Sequence, residues 1–228
     1  MTEWLKIAPA FAVGLTGAFG GWLCAARMRA RTLGAAQCFA AGVMLSLSCL
    51  SLLPQSFERL TLVQTLACTA LGMAVLAWTQ TVLSRLTRDA PAWTALLGIT
   101  AHNIPEGMVI GAGMAASPAL GASLALSILL HDIPEGAAVA LPLRASGRGT
   151  GYVLLTTLAS GLPTGVGAVL GSALGGLSEV MLGASLAFAA GAMLWVSLGA
   201  LLPESAHAPG AGIASCMGVL CGVWAGRL

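Results

Sequence analysis

Charge is what this sequence lacks most. Only 8% of its 228 residues are Asp, Glu, Lys or Arg, whereas soluble domains run near a quarter. A chain so poor in charge cannot cover a water-facing surface, and this excludes an ordinary soluble domain. The net charge of +2 is spread over short clusters, so no basic patch exists for a nucleic acid. Cysteine is scarce and unpaired in spacing. Cys24, Cys38, Cys49, Cys68, Cys216 and Cys221 all fall in apolar stretches with no CxxC among them. That excludes a disulfide framework or a zinc ribbon and leaves them as small apolar packing residues. Low-complexity tails and Pro-rich linkers are missing, and the longest loop is about ten residues.

What is present is apolar sequence: 57% of residues are hydrophobic and the mean hydropathy is +0.91. Eight apolar segments stand between polar breaks, at about 5–26, 33–53, 61–83, 93–115, 119–142, 150–172, 180–202 and 210–226. A helix needs roughly 20 residues to cross a membrane's hydrocarbon core, and each segment is near that length. With no water to satisfy the backbone, helices are the spanning element. The alternating polarity of a membrane β-barrel is absent. The 30 glycines favour close packing between such helices. The expected fold is therefore an all-α, polytopic transmembrane bundle of about eight spans, a single domain over 1–228. The N-terminal Met1–Lys6 contains Glu3 and precedes an apolar run long enough to span, so it reads as the start of span 1 rather than a cleavable signal.

Arginine sets the expected orientation. Arg27, Arg29 and Arg31 follow span 1, Arg85 and Arg88 follow span 3, and Arg144 and Arg148 follow span 5. Those loops share one side, and the other side holds only Lys6, Arg59 and Arg227. Basic loops stay in the cytoplasm, which places both termini outside and the protein in the cytoplasmic (inner) membrane. Trp4, Trp22, Trp93 and Trp224 fall near span ends, where interfacial tryptophans gather.

The acidic residues Glu3, Glu58, Asp89 and Glu179 lie in loops or tails, and Glu204 at a span end. Glu106, Asp132 and Glu135 lie deep in spans 4 and 5. They belong to two near-identical hexapeptides, His102-Asn103-Ile104-Pro105-Glu106-Gly107 and His131-Asp132-Ile133-Pro134-Glu135-Gly136. His102 comes nine residues after Trp93, roughly 14 Å into a core of about 30 Å. His131, a dozen residues into span 5, reaches similar depth from the opposite face. Two like motifs thus lie on antiparallel helices, and transporter sites often form at such repeat interfaces.

In each copy His and Glu are four apart, on one helix face and one turn apart. Two facing helices then supply two imidazoles and two carboxylates to one point. That donor set suits Zn²⁺, and also Fe²⁺ or Mn²⁺, while the lack of thiolate argues against Cu(I). Pro105 and Pro134 free the carbonyls of Ala101 and Leu130 beside the ligands and should bend each helix. An acidic side chain at the bilayer centre costs roughly 2.5–3.5 kcal/mol, and three are gathered here. A divalent cation would offset their mutual repulsion; without it, one or more carboxyls should hold a proton. The plain alternative, buried polar groups fixing two helices together, fits one such residue far better than two matched copies.

At these motifs the sequence resembles the ZIP family of metal transporters (ZRT/IRT-like proteins), and within it the small bacterial branch. Weaker likeness runs from Ala41-Gly42-Val43-Met44-Leu45 to Leu53-Pro54 in span 2 and from Ala190-Gly191-Ala192-Met193-Leu194 to Pro203-Glu204-Ser205 in span 7. The resemblance implies a primary site of His102, Glu106, His131 and Glu135, with Asn103 and Asp132 in an adjacent one and both glutamates bridging. It also makes Met44 a candidate ligand. Relatives often carry a Glu in span 6; here Ser160-Gly161-Leu162-Pro163-Thr164-Gly165 puts Thr164 in its place. A hydroxyl is a poorer ligand, so a second metal should be weakened or absent. The Ser84–Ala92 loop holds no histidine, and neither does the end of span 2, Ser51-Leu52-Leu53-Pro54-Gln55. Glu204 and His207 at the end of span 7 form either an exit site or a solvated loop.

The function expected is carriage of a divalent transition metal, Zn²⁺ foremost with Fe²⁺, Mn²⁺ and Cd²⁺ as alternatives, toward the cytoplasm. The partners are that ion and membrane lipid, with a homodimer permitted by Gly-rich outer faces. The competing readings are an intramembrane metal-dependent enzyme and a proton or ion pathway. The HExxH string of zinc proteases is absent, and no catalytic cofactor is expected.

Overall fold

The computed structural model describes residues 3–27, 30–86, 91–175 and 178–226. Arg29, Arg88, Asp89 and Arg227 lie outside these, as do the side chains of Glu3, Lys6, Arg31 and Trp93. Among the described residues the chain is helical throughout, with no strand. Its rods coincide with the eight apolar segments: α1 (Glu3–Ala25), α2 (Ala30–Leu47, continued to Phe57), α3 (Leu62–Leu86), α4 (Pro91–Ala116), α5 (Pro118–Ala145), α6 (Thr150–Gly175), α7 (Glu179–Trp195, continued to Ser205) and α8 (Ala211–Ala225). Six of them, all but α4 and α8, are long and apolar enough to cross a membrane.

The sequence explains how α4 and α5 come to lie antiparallel. Ser117 alone separates them. Pro118 cannot continue α4, because it lacks the N–H and restricts the residue before it. Ser117 is accordingly extended (φ −159°, ψ 145°), and its hydroxyl accepts from the Leu120 N–H at 3.1 Å. Serine at the N-cap followed by proline is a strong helix start. At the far end of α5, Gly147 adopts φ +76°, the left-handed turn that lets a helix stop. Both α4 and α5 run on through their internal prolines, Pro105 and Pro134, as unbroken helix.

Packing repeats in inverted order. Gly72 of α3 sits against Phe188 and Ala192 of α7, as Gly218 of α8 sits against Phe39 and Val43 of α2. Gly191 of α7 rests on Thr69 of α3, as Gly42 of α2 rests on Ser215 of α8. Thus α2–α8 is the counterpart of α7–α3. Likewise α4 packs along α6 and α5 along α1. Small residues at crossings are what helices use in lipid, where hydrophobicity alone does not hold them together.

The counterparts α2 and α7 share a feature that composition does not announce. Each changes to π-helix, at Ser48–Leu52 and Val196–Leu201, just before a proline, Pro54 or Pro203. The missing proline N–H leaves a carbonyl unpaired one turn earlier, and a wider turn relieves it.

The cysteines differ in part from expectation. Cys38 is buried, Cys68 and Cys221 are half-buried, but Cys24, Cys49 and Cys216 face outward, and all six are free. Lipid tolerates an outward thiol as readily as an alkyl group. At one end of the bundle the Arg144 guanidinium lies 5.8 Å from the Trp22 ring and that of Arg148 5.1 Å from Tyr152. At the other end, Arg59 pairs with Glu179 at 2.9 Å and donates to the Gln55 carbonyl at 2.7 Å.

Candidate metal centre

The site is built at the contact of α4 and α5. Each motif glycine permits the approach of a second helix. A Cβ at Gly107 would collide with the Thr164 carbonyl of α6, and one at Gly136 would press on Gly17 and Ala18 of α1. These contacts hold the two motifs between α1 and α6, in the centre of the bundle.

The His and Glu of one motif do not bond each other; they exchange partners. His102 Nε2 lies 2.7 Å from Glu135 Oε2, and His131 Nε2 lies 2.9 Å from Glu106 Oε1. The second ring is aimed from behind, since His131 Nδ1 is 3.0 Å from the Ser127 carbonyl. A carbonyl only accepts, so Nδ1 carries a hydrogen and Nε2 is the atom turned to Glu106. Each imidazole–carboxylate contact must contain one proton. All four side chains are almost wholly sequestered, at 4% (His102), 0% (Glu106), 0% (His131) and 2% (Glu135) exposure.

Two ligand-capable triads result: His102 with Glu106 and Glu135, and Glu106 with His131 and Asp132. In each, one donor atom per residue lies within 4.8 Å of the others. Glu106 belongs to both. Glu106 Oε2, Glu135 Oε1 and both Asp132 oxygens are buried without a hydrogen-bond partner. Buried anionic oxygens left bare are costly, and donor sets of this kind accept a divalent cation.

Asp132 belongs to the second triad, and Asn103 lies beside it rather than within either set. With Glu135, Ser160, Gly14 and Gly161 they line a chamber of about 10 Å³, room for about one water. Asn103 donates to the Ser160 carbonyl at 2.7 Å, and its Oδ1 has no partner. Thr164 is fully buried with a bare hydroxyl. Met44 is fully buried as well, in the apolar core.

A second cavity, of about 740 Å³, runs to the site from the end bearing the α1–α2, α3–α4 and α5–α6 connections. Gln37 of α2, Gln80 of α3, Ile99 of α4, Pro142 of α5 and the π-helical stretch of α7 line it, and His102 and Glu135 form its inner end. Trp195 Nε1 donates to Gln80 Oε1 at 2.8 Å on its wall. Glu204 also faces this funnel, whereas His207 is not among the lining residues. Sequence reasoning did not find Gln37 or Gln80, since single amides in apolar helices carry no spacing signal.

A helical bundle of membrane-spanning build, with a cation-ready cluster of imidazoles and carboxylates at its centre, is the build of a membrane metal transporter. A profile of the ZIP zinc transporter family matches residues 79–225, a stretch that covers both motifs and more than half of the chain, and the chain belongs to that family. It is therefore a membrane protein that transports divalent metal ions. No curated protein is significantly similar to it.

Proposed function

We propose that the chain carries Zn²⁺ inward across the bacterial inner membrane, with Fe²⁺, Mn²⁺ and Cd²⁺ as alternative substrates. In this reading the whole of 1–228 is one transporting domain of eight spans, with both termini outside and the arginine-bearing loops in the cytoplasm. The cation is held by His102, Glu106, His131 and Glu135. Asp132 and Asn103 stand beside it, and Met44 is a lesser candidate.

The observation that supports this best is the exchange of partners between the motifs, His102 with Glu135 and His131 with Glu106, at the inner end of a funnel. A pair within one helix would satisfy itself and need no cation. Crossed pairs bring the four groups into two adjoining triads that share Glu106, and an arriving cation displaces the protons that bridge them. Thr164 supplies a hydroxyl where relatives offer a carboxylate, so one metal rather than two is expected. The funnel reaches His102 and Glu135 from the cytoplasmic side of this topology, which fits release there. Glu204 in its wall is a passing ligand. Membership of a transporter family supports a carrier rather than an enzyme.

Radioactive zinc uptake into proteoliposomes tests the reading. Wild-type protein should accumulate zinc well above protein-free vesicles, and His102→Ala should fall to their level. Background uptake of Zn²⁺, Mn²⁺, Fe²⁺ and Cd²⁺ alike by the wild type would defeat it.

A further inference from the structure

The funnel is larger and more apolar than the passage of an ion requires. Its volume is about 740 Å³, whereas an ion with six waters needs roughly 200 Å³ at about 30 Å³ per water. Apolar side chains, Leu33, Ile99, Pro142, Val196 and Leu201 among them, make up most of its wall, and a hydrated ion gains nothing from such surface. The polar side chains between them have spent their groups on the protein. Gln80 Oε1 receives the Trp195 Nε1–H at 2.8 Å, and Gln37 Oε1 receives the Ser205 hydroxyl at 2.8 Å. The hydroxyls of Thr81 and Ser84 donate to carbonyls of their own helix, at 2.7 and 3.0 Å. A chamber of this size, mostly apolar and with few polar groups, has the form of a site for a small organic molecule.

The charge in it has one sign. Glu135 closes the inner end, and the exposed Glu204 stands in the wall. Among the described residues that line the funnel there is no Lys or Arg. Trp195 adds the face of an indole. Its bond to Gln80 fixes the ring by one edge, and Gly199, one turn further along α7, keeps the ring uncovered. A Cβ at residue 199 would lie 3.2 Å from the ring carbons. An open indole face attracts a cation through its π-electrons. Two carboxylates and that face, set in apolar walls, select for positive charge carried on a hydrophobic body.

We infer that the funnel is a binding site for an amphipathic organic cation, a quaternary ammonium or phosphonium that bears aromatic groups. Glu204 and the Trp195 ring hold the charge, and the body lies against Leu33, Ile99 and Leu201, where leaving water favours it. Once occupied, the funnel no longer joins His102 and Glu135 to solvent, so the ligand blocks the metal's way out. The block rests on the carrier reading given above; the binding itself does not.

Equilibrium dialysis of zinc-free protein in detergent against radiolabelled tetraphenylphosphonium tests this. After subtraction of uptake by protein-free micelles, the wild type should bind saturably, at one ion per chain. Gly98→Leu should abolish the binding. Residue 98 lines the funnel and a Cβ there meets nothing within 4 Å, so the added side chain fills the space without disturbing the fold. Gly212→Leu, at a glycine equally free of neighbours but outside the funnel lining, should bind as the wild type does. Glu204→Gln should weaken binding several-fold. Triphenylphosphine oxide, neutral and of similar shape, should displace the label at least tenfold less well than unlabelled phosphonium. Absence of saturable binding by the wild type, or equal binding by Gly98→Leu protein, overturns the inference. Displacement by the phosphine oxide as effective as by the cation also overturns it, since the funnel would then be an apolar pocket blind to charge. Zinc uptake is measured on the same preparation. Phosphonium binding by protein that takes up no zinc would sustain the site and remove the carrier reading; zinc uptake without phosphonium binding would remove the site alone.

Discussion

His102 on α4 reaches Glu135 on α5, Nε2 to Oε2 at 2.7 Å, and leaves Glu106 one turn along its own helix to His131. The bond joins the helices through groups that a cation would compete for. The four residues therefore behave as a unit, and their removal should not be additive. His102→Ala and Glu135→Ala should each abolish zinc uptake, and the double variant should bind zinc no more weakly than the worse single. Titration calorimetry in detergent measures this; strictly additive losses would show the pairs to be independent.

Zinc binding should release protons. Each imidazole–carboxylate contact contains one, and a metal ligand must give it up. Calorimetry in two buffers of different ionisation enthalpy should give different apparent heats, with protons passing from protein to buffer. In Glu106→Gln/Glu135→Gln protein the difference should shrink. Identical heats in both buffers for wild-type protein would argue that neither contact is displaced.

The glycine of the first motif serves packing. Gly107→Ala drives a methyl group into the Thr164 carbonyl, backbone that cannot swing away, and overpacking of this kind destabilises by about 1–3 kcal/mol. Gly98→Ala adds a methyl group that meets nothing within 4 Å. Thermal unfolding in detergent should show a lower midpoint for the first and none or little change for the second.

In the function proposed above, Thr164 limits the chain to one metal. Its hydroxyl is buried and unpartnered, close to where a Cβ on Gly14 would fall. Thr164→Glu should raise the zinc content of purified protein from one toward two ions per chain, measured by elemental analysis. A wild-type content of two would show that the hydroxyl is ligand enough.

Much of this arrangement was legible in the sequence. The eight apolar runs gave the rods, since length and hydropathy decide where a helix can span. The duplicated hexapeptide named the central cluster, because buried carboxylates are too costly to be incidental. Spacing alone placed His102 and Glu106 on one face, yet it could not show that each bonds across to the other helix; that follows from the antiparallel hairpin at Ser117. The two triads were likewise hidden, as Asp132 turns toward Glu106 and His131 while Asn103 is held by the Ser160 carbonyl. The π-helical turns left no periodic signature, and Pro54 and Pro203 mark them only once the backbone is seen. The funnel depends on which helix halves separate, a property of packing that no single segment encodes.

The most direct measurement is an anomalous difference map from zinc-soaked crystals, collected at the zinc edge. The account predicts one strong peak enclosed by His102, Glu106, His131 and Glu135, and its loss in His102→Ala crystals. Zinc peaks confined to the surface or the funnel, in protein that still takes up zinc, would contradict it.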